Sequence, residues 1–134
     1  MSYADLKIEE RDYDLIHQEI KNLTYALGVR PGEVNTNFLL SINPANLYEI
    51  VAQFAFSDFL LEEVFRAAKD AQKWWGHVAE WHDRQRIMKI FRDRVNENLH
   101  RLAAAIILET GKDYRESYAE VKEFIELMDY YLRI

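Results

Sequence analysis

The chain has 134 residues, 49% hydrophobic and 30% charged, with 17 Lys and Arg against 23 Asp and Glu and a formal net charge of −6. That is globular composition for one domain, and surface scaling gives roughly 7,400 Å² for its folded form. The absence of cysteine excludes disulfides, thiolate metal sites and a cysteine nucleophile among these residues, and the acidic balance argues against nucleic acid, whose phosphates need Lys and Arg.

No run of 18 apolar residues and no apolar leader core occurs, so no membrane contact is expected and a soluble, cytoplasmic protein is. The first periodic segment is about Asp12 to Leu27, where Ile16, Ile20, Leu23 and Leu27 line one face of a helix. Gly28 is placed as its left-handed cap, and Pro31-Gly32 follows as a turn. Residues 1–35 thus form an N-terminal helix and turn, and residues 36–134 a second unit.

Phe38–Ile42 and Leu47–Phe56 are rich in aromatic and β-branched residues and flank Asn43-Pro44-Ala45-Asn46, which predicts a short hairpin. Two strands alone are marginal in water, so the hairpin should lean on helices or on something outside the chain. Ser57-Asp58 can cap a third element with Leu60, Val64, Ala67, Ala68, Ala71 and Trp75 as its apolar face and Gly76 as its end. His82-Asp83 opens a helix with the face Ile87, Met88, Phe91 and Val95, and His77 and His82 are expected in a polar loop. Asn96-Glu97-Asn98 predicts a break, because Asn prefers caps to helix interiors. Leu99, Leu102, Ala103, Ile106 and Ile107 carry the pattern on to Gly111. In the last helix Tyr114, Tyr118, Val121, Ile125, Met128 and Leu132 form a heptad-like seam. The expected fold is mainly α, about five helices with one short β-hairpin.

Charge segregates between the last long stretches: Arg84, Arg86, Lys89, Arg92, Arg94 and Arg101 precede an acid-rich segment from Glu109 to Asp129. Two solvated faces with modest pairing, about 0–1 kcal/mol per pair, are expected, against the alternative of adjacent packing.

Little in the chain suggests chemistry. Glu97 and His100 make a Glu-x-x-His step, the spacing of di-iron bundles, but such a site needs two steps and two more glutamates. Glu97 and His100 are therefore metal candidates only in a dimeric bundle. The glycines are isolated at 28, 32, 76 and 111, so no phosphate cradle is present. Glu116, Glu120, Glu123 and Glu126 suit a wet helix surface. Trp74-Trp75 and Tyr130-Tyr131 suit core or interface better than a ligand platform.

From Thr36 onward several separate segments carry a resemblance. Ser41-Ile42-Asn43-Pro44-Ala45 with Glu49-Ile50-Val51, the Ala-rich stretch to Trp75, Arg86 with Ile87, Met88 and Ile90, Leu102 through Glu109-Thr110-Gly111-Lys112, and Glu120-Val121 to Tyr130-Tyr131 resemble the N-terminal part of the aldehyde dehydrogenase superfamily. Within it they are most similar to the delta-1-pyrroline-5-carboxylate dehydrogenases, which oxidise glutamate semialdehyde in proline catabolism. The resemblance implies helices that pack on a nucleotide-binding domain, and a chemistry of cysteine attack, hydride transfer to NAD(P)+ and glutamate-activated water. Ala52 stands where the family usually has Gly, and the loop from Gly76 to Trp81 lacks the usual Pro. The resemblance places the nucleotide-binding core and catalytic domain after Tyr130–Ile134, so no catalytic or cofactor residue is carried over.

The expectation is a non-catalytic, dehydrogenase-derived helical module that self-associates or docks on a dehydrogenase-type partner through Tyr114, Tyr118, Val121, Ile125, Met128 and Leu132. A truncated gene product is the version of this without a role. The alternative is the N-terminal piece of a split dehydrogenase, with NAD entering only when a catalytic partner chain completes it. The third is the dimeric metal-binding bundle.

Overall fold

A computed structural model of the chain describes residues 9–27, 38–55 and 61–133. Helix α1 runs Glu10–Leu27, its acidic first turn set against the positive end of the helix dipole. Ile16 and Leu23 of the predicted stripe are buried, and Ile20 packs beside them. The Gly28 cap, the Pro31-Gly32 turn, the Ser57-Asp58 cap and Leu60 lie outside the described residues.

Strands β1 (Phe38–Ile42) and β2 (Ile50–Ala55) form the antiparallel hairpin. β2 begins at Ile50 rather than Leu47, because local hydrogen bonds claim the residues between. The Asn43 Oδ1 accepts from the Ala45 N–H at 2.9 Å, its Nδ2 donates to Glu49 Oε2 at 2.8 Å, and the Asn46 Oδ1 accepts from the Tyr48 N–H at 3.3 Å. Such Asx bonds offer the backbone an alternative to the ladder, and they leave Leu47 and Tyr48 exposed at the tip. Ser41 pairs with Ala52 and Ile42 with Ile50, which makes Val51 an extra, bulged residue. A bulge re-aims a side chain; here the adjacent Val51 and Ala52 are both buried, and Val51 joins the core. The opposite face, with Leu39 across from Phe54, stays bare.

Helix α2 (Leu61–Lys73) passes into a π-helical turn, Trp74–Val78, closed by the Ala79 N–H on the Trp74 carbonyl at 2.8 Å. Gly76 therefore does not end the helix: it lies inside the π turn, and the end falls at Ala79, which is extended. The Arg84 guanidinium donates to the Trp75 and Ala79 carbonyls at 3.1 and 2.7 Å, satisfying groups a helix end would leave unpaired. His77 lies in this turn and His82 in the first turn of α3 (Trp81–Glu97), stacked on Trp81, so neither occupies a polar loop.

The predicted break is real. α3 ends at Glu97, Asn98 leaves helical geometry, and α4 (Leu99–Thr110) begins at once. Gly111 caps α4 at φ 71°, and Asp113 caps α5 (Tyr114–Leu132) by accepting from the Glu116 N–H at 2.8 Å. The two motif segments of the resemblance meet here: a Cβ on Gly111 would stand 3.3 Å from the Cβ of Pro44, in the hairpin loop.

α4 is the centre of the core. Its Leu99, Ala103, Ala104 and Leu108 are buried between α1 on one side and α5 on the other, and the two alanines let both neighbours approach closely. Apolar residues of α2, of the hairpin and of the α3–α5 side are left exposed.

Candidate functional site

Glu97 and His100 do not meet. The Asn98 break separates them, Glu97 accepting from Arg94 at 2.8 Å while His100 Nε2 lies 2.8 Å from Asp12 Oδ1 of α1. The imidazole thus serves the α1–α4 joint, beside Tyr118, whose hydroxyl is pushed above the ordinary tyrosine range by burial and then by the Asp12 and Glu9 carboxylates. Among the described residues no group of three His, Asp or Glu is placed to hold a metal ion.

The expected interface seam of α5 faces inward. Val121 and Ile125 are buried in the core, Tyr114 and Tyr118 pack against it, and Met128 and Leu132 are half-buried. α5 spends this stripe on α1, α3 and α4, so it is not the chain's docking face. Trp74, Tyr130 and Tyr131 are exposed rather than core. The basic and acidic stretches lie on neighbouring helices, and Arg92 of α3 grips Asp129 of α5 through Nε at 2.9 Å and a terminal nitrogen at 2.8 Å. That fork holds the Asp129 carboxyl below the usual carboxylate range and raises the guanidinium.

The apolar surface left open lies elsewhere. Phe91 and Val95 of α3, Leu102, Ala105 and Ile106 of α4, and Val121 and Phe124 of α5 line a groove of about 340 Å³. Phe91 and Phe124 meet edge-on at 5.8 Å within its lining, and Phe91 is 49% exposed. Glu109 and Glu120 also line it, Glu120 bonded to Lys112. The sequence did carry a signal for it: Phe124, Leu127 and Tyr131 form a second apolar stripe on α5 beside the buried one. α2 has the complementary condition. None of its residues is buried, and Val64 and Phe65 are 61% and 67% exposed.

A second cavity of about 480 Å³, between Lys89, Arg92, Asp93, Asp129, Leu132 and Arg133, is polar. Its Arg92 is already bound to Asp93 and Asp129, leaving no preformed anion clamp there. Nor do the described residues fit a dinucleotide. The sheet is an antiparallel hairpin rather than a parallel strand–helix unit, Pro44 fills the space beside Gly111, and Gly76 opens onto nothing within 4 Å.

The model of the "Aldehyde dehydrogenase family" matches residues 32–134. The chain is 34% identical over 98 residues to the 1-pyrroline-5-carboxylate dehydrogenase of Anoxybacillus flavithermus, covering 71% of this chain and 18% of that protein. It is 30% identical over 132 residues to the Bacillus licheniformis 1-pyrroline-5-carboxylate dehydrogenase, covering 95% of this chain and 25% of that one. The Thermus thermophilus 1-pyrroline-5-carboxylate dehydrogenase structure superposes with a TM-score of 0.76 at 22% identity, over 93% of this chain and 26% of that one. The chain thus spans about a fifth to a quarter of the length of these relatives. None of the described helices is long and apolar enough to cross a membrane.

Proposed function

The chain belongs to the aldehyde dehydrogenase family, and from that premise we propose that it is a non-catalytic helical module whose role is to dock on another polypeptide, a second copy or a dehydrogenase-type chain. One observation carries this reading: α2 is amphipathic and has no buried residue, while a groove of matching character lies open on the α3–α5 side. Contiguous bare apolar surface of this kind favours association. The family's thiolate chemistry needs a cysteine, and these residues hold none, so where the partner is a dehydrogenase-type chain rather than a second copy, it is that chain that brings the thiol, the NAD site and the 1-pyrroline-5-carboxylate or glutamate-semialdehyde substrate. The setting that suits this chemistry is the cytoplasm.

The test is to co-produce the tagged chain with the Bacillus licheniformis dehydrogenase lacking its matched N-terminal quarter, and to follow NAD+ reduction by glutamate semialdehyde. The expected result is stoichiometric co-purification or a defined oligomer of the chain itself, with no NADH from the chain alone. NADH formed only by the pair would make it the N-terminal piece of a split enzyme. Hydride transfer by the isolated chain, or a monomer that captures neither partner, overturns the proposal.

A further inference from the structure

We draw no further inference here: the strongest candidate, the apolar groove between α3, α4 and α5 together with the unburied face of α2, carries nothing beyond the docking reading, because nothing in the structure shows what covers either surface.

Discussion

Gly111 and Gly76 look alike in the sequence, each following a helical stretch, yet they differ physically. Gly111 sits at φ 71° with Pro44 in the space a side chain would fill, whereas Gly76 lies inside the π turn with nothing within 4 Å. Gly111→Ala should therefore cost about 1–2 kcal/mol, because a Cβ in the left-handed region clashes with its own backbone. Gly76→Ala should be neutral or stabilising by about 0.5–1 kcal/mol, through lost unfolded-state entropy. Urea midpoints of the two variants check the contrast, and equal effects would refute it. The cap at Gly111 was legible from composition. Gly76 was misread because its signal is the same; the Ala79 N–H on the Trp74 carbonyl and the Arg84 bonds to the Trp75 and Ala79 carbonyls hold the turn that runs through it.

Between elements, the Arg92–Asp129 fork joins α3 to α5. Asp129 is held below its ordinary range, so the folded state favours the carboxylate. Its contribution is complete above the unfolded carboxyl value, about 3.9, and is lost as pH falls through the lower folded value. Asp129→Asn should be less stable than wild type at neutral pH, with the gap closing toward pH ~2. Denaturant titrations across that range measure it, and a constant gap would mean the fork contributes nothing. The same scale explains the hairpin. Its two strands were readable from β-branched and aromatic content, but the start of β2 was not, because Asn43 and Asn46 bond locally and draw Leu47 and Tyr48 into the loop. Glu97 and His100 were paired by spacing alone. The helix break between them sends one to Arg94 and the other to Asp12, 88 residues away in sequence.

Across the whole molecule, α1 shares a core with β2, α4 and α5 through Ile16, Leu23 and Val51. The division at residue 35 is accordingly expected to leave no thermodynamic trace. Ile16→Ala, at a fully buried position, should cost about 2–5 kcal/mol. It should also speed hydrogen exchange at the Ala103 and Ala104 amides together with those of α1, in one transition. A separate early melting of α1, with those amides still protected, would restore two units.

The sequence by itself determined the helical class, the hairpin, the Asn98 break, the helix end at Gly111 and the family resemblance, because periodicity, cap chemistry and turn residues act over a few neighbouring positions. Only the tertiary structure decided which apolar stripe of α5 is core and which is surface. Val121 and Ile125 face α4 while Phe124 is left to the groove. Two stripes on one helix are equivalent until another helix covers one of them, and that choice is made by packing between residues distant in the chain.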